Sequence, residues 1–145
     1  MAARRDNTVT RQVVSIDHVQ LPMPFRAGAR AREFYQQYLG LEEVRDPWLD
    51  RPGTLRFAVG AYRIDLCEGI YQPAASQAHL ALVVNDLAPL VQRLFEAGYS
   101  VDAQRLDQGH VYVDDPFGNC IELIDPQLEE RPNAHGNADR YLVAV

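Results

Sequence analysis

Apolar residues recur along this chain with two different periods, and the switches between them outline its elements. Alternation with period two marks strands, whereas spacings of three and four mark helices. "VVSIDHVQL" (13–21) is β-branched and apolar enough for a strand, and the Pro-containing loop "PMPFRAG" follows it. In "ARAREFYQQYLG", Ala31, Phe34, Tyr35 and Tyr38 fall on one helical face. The pattern predicts a helix over 29–39 that ends at Gly40. Short strands fit "LEEVR", "TLRFAV" and "YRIDLC", punctuated by Gly, Pro and Asp. "HLALVV" (79–84) reads as another strand. A second helix over 86–97 then carries Leu87, Leu90, Val91, Leu94 and Phe95 as one stripe, with Asn85 or Asp86 as its cap and Gly98 at its end. Strands over "SVDA", "HVYVD" and "CIELI" complete the series.

The chain thus runs strand, helix and three strands, twice. His18-Val-Gln-Leu21 is matched by His79-Leu-Ala-Leu82, "FYQQYLGL" by "LFEAGY", and Ile64-Asp65-Leu66 by Ile121-Glu122-Leu123. His18 precedes Asp65 by 47 positions and His79 precedes Glu122 by 43. Such self-similarity is a topological signal even where identity is low. The fold class expected is α+β: two βαβββ modules, about 13–68 and 77–126, in a single domain over 13–126, with tails at 1–12 and 127–145.

Side-chain parity separates two faces. One face of the strands carries Val19, Leu21, Ile64, Leu66, Leu80, Leu82, Ile121 and Leu123, and suits a core beneath helices. The other carries His18 and Gln20, Asp65 with Arg63 and Cys67, His79, and Glu122 with Cys120. A carboxylate such as Glu122, inside an apolar strand, is rarely buried unless it is paired or holds a metal. If a pseudo-twofold axis relates the modules, each contributes one histidine and one carboxylate to a shared, lined cavity. Tyr112 and His110 share the Glu122 face. Tyr112 is read as a substrate contact or a satisfied core tyrosine. Arg56, between Leu55 and Phe57, either points inward toward an anionic group or is a solvated strand-end residue. Cys67 and Cys120 are read as small cavity-lining residues, Trp48 as a lid or a surface plug, and His135 as tail.

Composition changes the picture mainly by exclusion. At 47% hydrophobic and 23% charged the chain is globular, and its net charge of −6 disfavours nucleic acid and anionic membranes as partners. No apolar run reaches the roughly 20 residues of a membrane span, and "MAARRDNTVTRQ" lacks a secretory apolar core. Two cysteines suggest free thiols and a cytoplasmic setting.

The motifs "IDHVQL", "AREFYQQYLGLEEV", "HLALVVNDLAPLVQRLFEAGYSV" and "YVDDPFGNCIELID" resemble the vicinal oxygen chelate superfamily: glyoxalases, fosfomycin-resistance enzymes, extradiol dioxygenases and bleomycin-binding proteins. The resemblance covers roughly residues 14 to 126. It implies a curved mixed sheet around a cavity that holds a divalent metal ion (Zn, Ni, Co, Mn or Fe(II)), a small-molecule substrate and a homodimer. Residue by residue, His18, His79 and Glu122 fall on the three common ligand positions, and Asp65 on an additional one. Asp65 and Glu122 are then the candidate catalytic carboxylates, with Tyr112, Gln20 and Arg56 on the substrate side.

Within the superfamily the best-fitting reading is a glyoxalase-like lyase or isomerase, working by Lewis-acid polarisation and carboxylate proton transfer. The glutathione-recognising Arg and Asn positions of bacterial lactoylglutathione lyases are Pro22 and Gly69 here. A single-domain Fe(II) extradiol-type dioxygenase is the first alternative, supported by Tyr112. A metal-free, ligand-sequestering protein is the second, although such relatives typically lack the donor set found here.

Overall fold

The computed structural model describes residues 12–48, 50–70 and 78–128. The proposed tails, His135 included, therefore lie outside the described residues, apart from residue 12 and residues 127–128. The first module contains β1 (His18–Met23), α1 (Gly28–Arg32), β2 (Glu42–Glu43), β3 (Thr54–Val59) and β4 (Tyr62–Glu68). The second contains β5 (Leu80–Val83), α2 (Leu87–Glu96), β6 (Val101–Asp102), β7 (His110–Asp114) and β8 (Cys120–Ile124). Each module forms its own four-stranded sheet, in the orders β1-β4-β3-β2 and β5-β8-β7-β6. The first strand of each module pairs parallel to the last, and the other pairings are antiparallel. The repeated βαβββ topology expected from the sequence is present.

In β7 and β8 burial alternates residue by residue. Val111, Val113, Ile121 and Leu123 are fully buried, while their neighbours are half-buried. The helices cover these apolar faces. Leu87, Val91 and Leu94 of α2 turn inward, each worth about 1.5–3 kcal/mol of burial. The first helix contributes Ala31, Phe34 and Tyr35. Core residues of both modules form one continuous cluster. Aromatic edges join the two helical segments: Tyr99, just after α2, packs against Phe34 and Tyr38 with ring centres 5.1 and 5.3 Å apart.

Three local features depart from the sequence expectation. First, β1 starts at His18. Among the described residues no strand lies beside the β-branched stretch before it: pairing with β4 begins at His18 opposite Arg63, and Val13, Val14 and Ile16 stay exposed. The strand continues instead through Pro22 and Met23; as an edge strand, β1 tolerates the missing N–H of Pro22. Second, α1 widens into a π-helical turn over Glu33–Tyr38, with the Leu39 N–H donating to the Phe34 carbonyl. Gly40, at φ 72°, then lets the Leu41 N–H reach back to the Tyr35 carbonyl. Third, Asp86 sits at the start of α2 in the left-handed region (φ 53°) and makes no side-chain cap. The buried carboxylate of Asp125 caps instead, accepting from the Leu87 N–H at 3.3 Å.

A buried polar knot ties the modules together at the turn 115–119. Asp115 Oδ1 accepts from the N–H groups of Phe117 and Asn119, at 2.9 and 2.8 Å. Its Oδ2 accepts from the Tyr35 hydroxyl and the Asn119 amide, both at 2.8 Å. The same Asn119 amide also donates to the Pro22 carbonyl of β1 at 3.1 Å. This turn leads directly into β8, and so fixes where Glu122 stands.

Candidate active site

Sheet register sets the site. In the first module, one row across β1, β4 and β3 is Gln20–Asp65–Arg56, and the adjacent row is His18–Arg63–Ala58. His18 Nδ1 lies 2.7 Å from Asp17 Oδ2, and its Nε2 lies 3.9 Å from Asp65 Oδ2. Asp65 is buried, and its strongest partner is Arg63, which donates from Nε to Oδ1 at 2.6 Å and from Nη2 to Oδ2 at 3.1 Å. Arg56 points inward and is buried, and its Nη1 donates to Asp50 Oδ1 at 3.3 Å. Gln20 is exposed on the edge strand. Cys67 lies next to Thr54, with Oγ1 and Sγ 3.6 Å apart.

In the second module, Glu122 of β8 is flanked by Ala81 of β5 and Tyr112 of β7. Its two oxygens face different imidazoles: Oε2 lies 3.0 Å from His79 Nε2, and Oε1 lies 2.9 Å from His110 Nδ1. Tyr112, opposite Glu122 in the register, lies close to that carboxylate and packs edge-on against His79, with ring centres 5.5 Å apart. Burial pushes the Glu122 carboxyl up, but the hydrogen bonds from His110 and His79 outweigh it, so the group titrates below the ordinary glutamate range. Burial, helped by the nearby Glu122 carboxylate, raises the Tyr112 hydroxyl. Cys120, on the same face, has its thiol raised by burial and by Asp114 and Glu122. Both cysteines are free. Trp48 stands 94% exposed on its turn.

The structure brings the expected donors together as two pairs, His18 with Asp65 and His79 with Glu122. Among the described residues, no three or more His, Cys, Asp or Glu side chains gather in an arrangement that would hold a metal ion. The donor chemistry of these pairs nevertheless suits a divalent cation.

Two neighbours were missed as site residues. The strand pattern shows Arg63 only as sharing the face of Asp65, two positions away. The strand pattern shows His110 only as sharing the face of Tyr112; its bond to Glu122 depends on the β7–β8 offset, which no single strand reveals.

Comparison with known proteins gives a consistent family. Residues 24–124 match the glyoxalase-like domain family. A solved structure assigned to the glyoxalase family, from Bacillus anthracis, is 34% identical. The match covers 80% of this chain and 98% of that one, with a TM-score of 0.69. Lactoylglutathione lyase from Agrobacterium tumefaciens shares the fold at 24% identity, covering 81% and 98% of the two chains, with a TM-score of 0.58. A mutant of the fosfomycin resistance protein FosX from Listeria monocytogenes is a complex with Mn(II) and 1S,2S-dihydroxypropylphosphonic acid. It shares the fold at 16% identity, covering 78% and 92%, with a TM-score of 0.65. No curated protein matches the sequence significantly.

Proposed function

The chain belongs to the glyoxalase-like domain family, and from that premise we propose that it is a metal-dependent lyase or isomerase acting on a small substrate with oxygens on adjacent carbons. The observation that carries this reading is Glu122, a shielded carboxylate held between two imidazoles on the half-buried face of β8. Such a group is a ready ligand or base, and its environment favours the ionised form.

His18, His79 and Glu122 would hold the ion, with Asp65 as an additional or water-mediated partner. A divalent ion there supplies Lewis acidity toward a substrate oxygen. The chain's own residues do the rest. Tyr112 places a hydroxyl beside Glu122, within reach of a substrate held there. Arg63 holds both oxygens of Asp65, Oδ1 more closely than Oδ2, so Oδ2, on the His18 side, is the less tightly held of the two and the candidate proton acceptor. Arg56 and Gln20 flank Asp65 in one row and contact the substrate beyond it. The diol ligand of the FosX complex carries hydroxyls on adjacent carbons, the chemistry proposed for the substrate here. The working assembly is a homodimer. β1 and β5 are sheet edges beside the two donor pairs, where a second copy can approach. The free thiols accord with a reducing, cytoplasmic setting.

Elemental analysis of tag-free protein purified without chelators tests this. Near-stoichiometric Ni, Zn, Co or Mn is expected. Iron would shift the reading to extradiol-type oxygen chemistry. Failure to take up any of these ions under any loading condition would leave a ligand-sequestering protein.

A further inference from the structure

We propose that His110 is a positioning residue for Glu122: its Nδ1–H holds Oε1, so that Oε2, the oxygen beside His79, is the one presented to a divalent cation. This rests on the metal-dependent reading above and deepens it. The register explains the contact. In the antiparallel β7–β8 pair His110 lies opposite Ile124, on the same face as Glu122 and diagonal to it, within reach of a long side chain. The two oxygens are divided cleanly, with His110 on Oε1 at 2.9 Å and His79 on Oε2 at 3.0 Å. The side chains of His110 and Glu122 are only 17% and 12% exposed, so water competes poorly for the bond.

A carboxylate only accepts hydrogen bonds, so His110 must carry its proton on Nδ1 in this contact. Glu122 otherwise has three rotatable bonds and two equivalent oxygens. Fixing one oxygen removes the bidentate and rotated alternatives and leaves one donor aimed beside His79. The bond to His110 lies on the opposite oxygen, on the side of β7 rather than β5, which separates its role from that of a ligand.

The test is a titration of chelator-stripped, tag-free protein with Co(II) alone, followed by calorimetry and by the visible absorption of the bound ion. Four proteins are compared: wild type, His110→Leu, His110→Asn and Glu122→Gln. The Asn amide nitrogen lies as many bonds from Cα as Nδ1 does, so it keeps the donor, whereas Leu removes it. Loss of an outer partner of a metal ligand typically weakens binding by about 10–100-fold. His110→Leu is expected to fall in that range with an altered absorption spectrum, and His110→Asn to return to within about threefold of wild type. Glu122→Gln is expected to bind weakest. His110→Leu binding as tightly as wild type overturns the inference while leaving the metal reading standing. His110→Asn as weak as His110→Leu overturns it too, since the N–H would then not be what matters. A wild-type protein that takes up no Co(II), by contrast, ends the metal reading and this inference together. Metal-free melting curves confirm that each variant is folded. If His110→Leu does not fold, His110→Gln replaces it: its amide reaches the Nε2 position instead, so it is expected to bind weakly, and tight binding would count against the proposal.

Discussion

Replacing Tyr35 by Phe removes one oxygen from the knot that joins the modules. Tyr35 is fully buried, and its hydroxyl donates to Asp115 Oδ2 at 2.8 Å. A hydrogen bond to a charged group is worth about 1.5–3 kcal/mol. Oδ2 keeps its bond from Asn119, so it is not orphaned, and the lower half of that range applies, about 1.5–2 kcal/mol. For a domain near 150 residues, each kcal/mol moves Tm by about 2–4 °C, which gives a drop of about 3–8 °C. The pH dependence carries a second signature. Burial raises the Asp115 carboxyl above its ordinary range, while bonds from Asn119 and Tyr35 hold it down. Removing the Tyr35 hydroxyl therefore raises it further in the variant's folded state. Between the two folded values the variant binds more protons than wild type, so its deficit is full at neutral pH and shrinks as Asp115 protonates on acidification. Urea denaturation of both proteins from neutral to mildly acid pH measures this. A neutral-pH deficit under about 0.5 kcal/mol, or one that grows on acidification, refutes the reasoning.

Other consequences can be checked as directly. Asp125→Ala strips the cap from α2 and should cost about 0.5–2 kcal/mol in thermal unfolding. Asp86→Gly, which relieves a left-handed non-glycine residue, should be neutral to stabilising by up to about 1 kcal/mol. Asp65→Asn should retain metal by elemental analysis yet lose about 10²–10⁴ in turnover; complete loss of metal would make Asp65 a full ligand instead. Cys120 should alkylate slowly at neutral pH, because burial raises its thiol, and faster as pH rises; bound metal should slow it further, read by mass spectrometry.

Much of the fold was legible because one face of the chain is apolar throughout. β3, β7 and β8 run over the residues where alternation placed them, and α2 differs from its expected span by one residue at each end. The errors lie where partners decide. Val13 and Val14 have strand chemistry but no strand beside them among the described residues. The π-helical turn over Glu33–Tyr38 leaves no trace in periodicity, and the cap of α2 comes from a residue 38 positions away. The same holds at the site. The repeat pointed to the pairing of His79 with Glu122 and of His18 with Asp65. Arg63, which holds both oxygens of Asp65 from two positions away on β4, became visible only with the side-chain geometry, and His110, which holds Oε1 of Glu122, only with the β7–β8 register.

The two modules share a topology but not a way of turning from their third strand to their fourth. Gly60 and Ala61 make the first turn, exposed, with no atom near where a Gly60 side chain would begin. The second turn is the buried Asp115–Asn119 knot. An engineer who wished to splice in a reporter peptide, or to open the chain and rejoin its ends elsewhere, would find these equivalent positions opposite in tolerance. An insertion at Gly60–Ala61 would protrude into water and leave β3 and β4 paired. The same insertion at Pro116–Gly118 would pull apart the joint between the halves and shift the strand that bears Glu122.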